Sequence, residues 1–169
     1  MLDRLPDEVQ RTLTEFRACE LATLARDGTP IAWPVTVLFQ PEKGRLLATT
    51  SIGMPQKAYN ARRTPRVSLL YSDPTASGLE KPVPVLVQGD ATVSQEIETW
   101  NEVLEELWQL LAVRQPPTVK LGSDPITRWL MDWYFMRLLM SIQPRKITWW
   151  PEGSFASDPM SMELQYAQE

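Results

Sequence analysis

The sequence predicts a mainly β fold with flanking helices: a small antiparallel barrel of six to seven strands, closed or nearly closed, with helices at its ends and sides. Three observations carry this reading. Short strand-like runs separated by turn signals dominate, and no repeated strand–helix–strand unit supports a parallel sheet. Val85 to Val93 alternates without a break, with Val85, Val87, Gly89, Ala91 and Val93 on one side and Leu86, Gln88, Asp90 and Thr92 on the other. That is the period of a half-buried antiparallel strand. Fifteen prolines against seven glycines favour interrupted strands and turns over long helices.

In chain order, Leu5 to Arg17 reads as a helix. Pro6 suits an early position, Asp7 and Glu8 suit the first turn, and Leu5, Val9, Leu13 and Phe16 recur at helical spacing. Glu20 to Arg26 is a strand, Asp27-Gly28 a hairpin turn, and Pro30 to Gln40 the return strand. Pro30 and Pro34 cannot donate to a ladder, which places part of that strand at an edge, a bulge or a ligand-facing opening. Arg45 to Thr50 is a third strand, Met54 to Arg63 a short helix stopped by Pro65, and Val67 to Tyr71 a central strand.

After the alternating strand a longer helix is expected. Ser94 is its proposed N-cap and Glu96 and Glu98 its first turn. Ile97, Trp100, Val103, Leu104, Leu107, Trp108 and Leu111 make its apolar face, and Glu98, Glu102, Glu105 and Glu106 its solvated side. Arg114 to Asp124 reads as a loop and Pro125 to Trp133 as a helical turn or two. Tyr134 to Ile142 and Arg145 to Trp150 read as two last strands joined across Gln143-Pro144. A polar tail follows from Pro151, draped over the surface or a partner. The whole, 1–169, is expected to be one domain with a helical insertion around 95–113.

Composition removes several function classes. A net charge of −4 argues against a broad nucleic-acid-binding face. The charged N-terminus lacks the apolar core of a signal peptide, and no apolar run is long enough to span a bilayer; the richest, Trp129 to Ile142, is broken by Asp132 and Arg137. No membrane role and a cytoplasmic location are therefore expected. Cys19 is the single cysteine and histidine is absent, which removes Ser-His-Asp triads, Cys-His pairs and His-based metal sites. Chemistry, if the chain performs any, is most economically supplied by an organic cofactor.

The stretch from Gly44 to Asp73 concentrates the candidate site residues. Six basic residues and no acidic one lie between Lys43 and Arg66 in a chain that is acidic as a whole. Thr49, Thr50 and Ser51 end a strand just before a helix that carries Lys57. Hydroxyls, helix N-terminal N–H groups and an ammonium are the parts of a phosphate cradle, to which Arg62, Arg63 and Arg66 would add forked donors. The same residues also fit an ordinary strand end and a solvated basic face, and no Walker-type Gly-rich loop is present.

These pieces, in order, resemble the FMN-binding split-barrel proteins, the pyridoxamine 5'-phosphate oxidase-like group. The matching elements are Thr49 to Ser51, Gln56-Lys57 and the Asn-x-x-x-x-Pro-x-Val run from Asn60 to Val67. The Asp27-Gly28 hairpin, Trp33 to Phe39, the Val85 to Val93 strand and the closing run from Pro144 to Phe155 extend the likeness over roughly residues 18 to 155. The resemblance implies an FMN-binding split β-barrel. It implies Thr49, Thr50 and Ser51 on the ribityl-phosphate arm or ring edge, Lys57 on the phosphate with Gln56 assisting, and backbone of Val35 and Thr36 against the isoalloxazine. It also implies a homodimer whose second subunit completes each site, with Trp149 or Trp150 as the contribution, ordinary packing being the other reading of that pair.

Gly153 to Pro159 has no Arg-x-His element, so pyridoxamine phosphate oxidation itself is not expected. A flavin-dependent oxidoreductase of unknown substrate is the leading expectation. A deazaflavin-dependent reductase, a non-catalytic flavin-binding dimer and a cofactor-free barrel binding another phosphate-bearing ligand stand beside it.

Overall fold

The computed structural model describes residues 2–99, 101–114, 129 and 132–166. Eight strands form one sheet, every pairing antiparallel: β1 (Cys19–Leu24), β2 (Pro30–Val35), β3 (Val37–Gln40), β4 (Arg45–Ser51), β5 (Arg66–Tyr71), β6 (Val85–Val93), β7 (Arg137–Trp149) and β8 (Met160–Glu163). Seven follow the path β2-β1-β5-β6-β7-β4-β3, and β8 adds to β7. The ends of that path, β2 and β3, are consecutive in the chain with only Thr36 between them. One broken strand therefore serves both edges, and the sheet must curl to allow it. That curl makes the split barrel.

The expected single strand from Pro30 to Gln40 is thus two. β2 pairs only with β1, up to Cys19 opposite Val35, and β3 pairs only with β4, starting from Val37 opposite Ala48. Both prolines lie on β2, an edge of the path, where a missing donor costs little.

The core is where the alternation places it. Val85, Val87, Ala91 and Val93 are buried along β6, and Leu69 and Tyr71 along β5. Helix α1 (Asp7–Glu15) is shorter than the periodicity suggested, but Val9 and Leu13 enter the same cluster, as do the flanking Leu2, Leu5 and Phe16. Thr12, also buried, donates to the Val83 carbonyl at 3.0 Å, tying the helix to the segment before β6. Helix α2 (Gln56–Arg63) packs on β1, β6 and β7. Its fully buried Asn60 donates to Thr23 Oγ1 at 3.1 Å and accepts from Gln56 at 2.9 Å and Arg63 at 3.1 Å. This buried amide fixes α2 against β1, which gives the Asn of the Asn60 to Val67 run a structural role in this chain.

Three expectations are corrected. The long helix, α3 (Glu102–Arg114), begins later than Ser94. Asn101 caps it, its Oδ1 accepting from the Leu104 N–H at 2.8 Å. Ser94 instead bridges to β7, accepting from the Leu139 N–H at 3.1 Å and donating to the Glu96 carbonyl at 3.0 Å. Glu98 pairs with Arg137 through its backbone, and Ile97 is exposed rather than part of an apolar helix face. Replacing Asn101 by Ala is expected to lower stability by about 1 kcal/mol in urea unfolding, whereas Gln95→Ala should leave it within about 0.5 kcal/mol. Trp100 and the readings for 115–128 lie outside the described residues.

The second correction concerns the end of the barrel. Tyr134 to Ile142 and Arg145 to Trp150 are not two strands: β7 runs unbroken through Pro144, and Tyr134 belongs to a helical turn, Asp132–Phe135. The neighbouring β6 absorbs the proline with a register shift between Gln88 and Gly89, which puts Gly89 opposite Pro144. The third concerns the tail, which contributes β8 along Lys146 to Trp149 rather than simply draping. No helix among the described residues is long and apolar enough to cross a membrane.

Candidate functional site

The break at Thr36 opens a cavity of about 200 Å³. Pro34, Val35 and Thr36 line it from the broken strand, Thr49, Thr50 and Ser51 from the end of β4, and Lys57 from α2. Leu107 and Leu111 of α3 form an apolar wall, and Tyr134 and Arg137 close the remaining side. Six of the residues singled out from the sequence therefore meet in one place: Val35, Thr36, Thr49, Thr50, Ser51 and Lys57. Gln56 and Trp150 do not line the cavity. Gln56 is exposed and bonded to Asn60, and Trp150 packs edge-on against Phe155 at 4.9 Å beyond the far end of β7.

The other basic residues of the central stretch lie elsewhere. Arg62 donates to the Ser94 carbonyl, Arg63 to the Leu24 carbonyl at 2.8 Å, and Arg66 pairs with Asp90 at 2.9 Å. None of the three lines the cavity.

Each hydroxyl has a distinct task. Thr50 Oγ1 accepts from Lys57 Nζ at 2.9 Å and donates to the Met54 carbonyl at 2.6 Å, so it positions the ammonium. Ser51 Oγ donates to the Trp133 carbonyl at 2.8 Å and accepts from the Gly53 N–H at 3.1 Å, which ties the end of β4 to the turn before β7. Gly53 is required there, because a Cβ would lie 2.3 Å from the Trp133 ring. Thr49 Oγ1 accepts from Arg137 Nη2 at 2.9 Å and Nε at 3.3 Å, and its proton has no acceptor among the described residues.

Arg137 is the residue that sequence reasoning missed. In the sequence it is only a charge interrupting an apolar run; in the fold it is 7% exposed. Register explains its place, since β4 and β7 pair with Ser51 opposite Arg137. Its guanidinium lies 5.3 Å from the Trp108 ring and 5.2 Å from the Tyr134 ring, and it donates to the Tyr134 carbonyl at 3.1 Å. A cation inside an apolar segment that cannot span a membrane was the available signal, because burying such a charge needs a reason.

No carboxylate lines the cavity, and among the described residues none forms an ion pair with Lys57 or Arg137. Burial lowers the pKa of Lys57 below the ordinary lysine value, and the charge of Arg137 lowers it further. Burial lowers Arg137 as well, opposed by Tyr134. Lys57 Nζ also lies 5.3 Å from the Trp33 ring. A half-buried ammonium and a buried guanidinium thus share a cavity lined by polar donors and, among the described residues, by no carboxylate. Among the described residues no group of His, Cys, Asp and Glu is placed to hold a metal.

An antiparallel sheet closing through a broken strand, with a cationic cavity at the break, defines a split-barrel protein. The family model for pyridoxamine 5'-phosphate oxidase matches residues 5–126, and the chain belongs to that family. Solved structures share the fold. A conserved hypothetical protein from Mycobacterium tuberculosis is 23% identical, with a TM-score of 0.61 over 96% of this chain and 94% of the other. A Clostridium acetobutylicum protein related to general stress protein 26 is 9% identical, with a TM-score of 0.58 over 93% and 92%. An F420 reductase is 20% identical, with a TM-score of 0.54 over 81% and 94%. No protein of curated function matches the sequence.

Proposed function

We propose that this cavity holds the phosphate end of a flavin, FMN, and that the protein is a flavin-dependent oxidoreductase. The observation that carries the reading is the convergence of Lys57, Arg137 and the Thr49 hydroxyl on a space without a carboxylate. The donor set fits a phosphate: an ammonium, a guanidinium and a hydroxyl proton are all donors, and nothing lining the space would repel an anion. A volume of about 200 Å³ is below the roughly 300–1,000 Å³ typical of pockets that bury a whole ligand of drug size. This chain alone therefore encloses only part of a flavin, in keeping with a homodimer in which a second copy completes the site. Trp150 follows the end of β7 opposite Arg137 and does not line the cavity of its own chain, so any contact it makes with a cofactor would come through such a second copy.

A bound flavin would supply hydride acceptance or donation. The residues of this chain do the rest. Lys57 and Arg137 bind and neutralise, Thr50 and Tyr134 hold those two cations in position, and Leu107 and Leu111 keep water from the apolar side. Val35 and Thr36 offer backbone at the strand break for orientation. Deazaflavin is the second reading, supported by the fold shared with the F420 reductase.

Titrating the purified protein with FMN, followed by flavin fluorescence and absorbance, is expected to show saturable binding at micromolar concentration or below. Failure of both FMN and deazaflavin to bind would remove the reading. Turnover of a reduced nicotinamide or a dye by the FMN-loaded protein is expected for an oxidoreductase, and its absence would leave a non-catalytic flavin protein.

A further inference from the structure

We propose that Arg137 is the second cationic anchor of the cavity, and that the Lys57–Arg137 pair selects a terminal phosphate monoester over a phosphodiester or an uncharged ligand. The inference rests on reading the cavity as a flavin-phosphate site, and it goes further by fixing the charge and the ester class of what enters.

Arg137 is built for this task rather than merely tolerated. Three of its five N–H groups are committed, two to Thr49 Oγ1 and one to the Tyr134 carbonyl. The remaining two have no partner among the described residues, on a side chain only 7% exposed that lines the cavity. Trp108 and Tyr134 hold the guanidinium plane, so its orientation is fixed before any ligand arrives. Lys57 has one N–H on Thr50 and two left, and Thr49 retains its hydroxyl proton. Five donors thus serve an anion whose terminal group has three oxygens.

The charge count then discriminates. Two cations lining one cavity with no carboxylate between them repel one another. A phosphate monoester carries about −1.5 to −2 at neutral pH and cancels the pair. A phosphodiester carries a single negative charge and leaves a buried positive charge unbalanced; a ligand without phosphate leaves both. On this basis FMN, with its terminal monoester, is favoured over deazaflavin cofactors that present a diester. A charge-assisted hydrogen bond lost in a buried site corresponds to a change on the order of 10- to 100-fold in affinity.

The test compares FMN with its phosphate methyl ester, which differ by one methyl group and one charge, and with riboflavin and inorganic phosphate. Wild-type protein is expected to bind FMN at least about 10-fold more tightly than either other flavin. Arg137→Gln is expected to bring FMN and its methyl ester close together. Arg137→Lys, which keeps the charge but not the fork, should retain part of the preference and serves if the glutamine variant does not fold. Arg66→Gln, changing an exposed arginine outside the cavity, should leave the preference intact. Equal affinity for FMN and its methyl ester, or a ratio unchanged in both Arg137 variants, overturns the proposal. If the flavins fail to bind but inorganic phosphate raises the melting temperature of wild type and not of Arg137→Gln, the monoester site stands and the flavin reading falls. If neither flavins nor phosphate bind, both fall.

Discussion

Replacing Lys57 by Met is expected to weaken FMN binding by on the order of 10- to 100-fold, while leaving the ligand-free protein as stable as before or more so. The two halves have one cause. Lys57 is partly desolvated, faces the like charge of Arg137, and has no carboxylate partner among the described residues. Its ammonium therefore opposes folding while it favours anion binding, the usual conflict between stability and function at a built site. Met keeps much of the aliphatic stem beside Trp33 and removes the charge. The sign follows from linkage: a lysine whose folded pKa is lowered destabilises the folded state while it is charged. That penalty lifts as pH rises through the lowered folded pKa toward the ordinary lysine value. Melting curves of ligand-free wild type and Lys57→Met from neutral to alkaline pH should converge as the wild-type ammonium loses its proton. A variant clearly less stable than wild type at neutral pH, with FMN affinity unchanged, would reverse both assignments.

Substituting Gly89 by Val is expected to be the most damaging single change to the barrel, at about 3 kcal/mol, the upper end of ordinary overpacking. A Cβ at Gly89 would sit 2.3 Å from the Gln143 carbonyl oxygen and 3.1 Å from Pro144 Cα. Both are backbone atoms, which cannot rotate aside as a side chain could. The close approach exists because β7 carries Pro144 mid-strand and β6 shifts register to meet it. For a chain of this length about 3 kcal/mol corresponds to roughly 6–12 °C in melting temperature. The FMN affinity of whatever fraction stays folded should be close to wild type, because Gly89 does not line the candidate cavity. A stability loss below about 1 kcal/mol would show that the two strands can separate there at little cost.

The resemblance and the physical reading of the residues overlap at Asn60 and Lys57 but explain different things. Order and spacing point to the family. The structure adds why those positions matter locally: Asn60 is a buried amide with three partners, and Lys57 is held by Thr50 rather than projecting freely. Thr50 and Ser51 both donate inside the protein, so the hydroxyl triplet is mostly the frame of the site. Only Thr49 keeps a proton to offer.

Local pattern was enough for elements whose periodicity is unopposed. The alternation of Val85 to Val93 names its buried face residue by residue, because a pleated strand buried on one side permits only one register. It failed where a local preference met a long-range partner. Pro144 marked a turn in the sequence, but pairing with β6 across it, and with β4 before it and β8 after it on the other side, carries the strand through. Ser94 looked like a helix cap until β7 supplied an N–H for it.

Composition and neighbours close in the chain were enough for the class of fold, for the strand-helix-strand that bears Lys57 and the hydroxyls, and for the lack of histidine among the site residues. Long-range packing alone sets the break at Thr36 that lets the strand after the first hairpin serve both edges of the sheet. Only it brought Arg137 against Thr49, a contact between residues 88 positions apart. The reason is physical. A site made from one segment can be read from spacing, but the second cation comes from a strand whose register is fixed by core packing across the whole barrel.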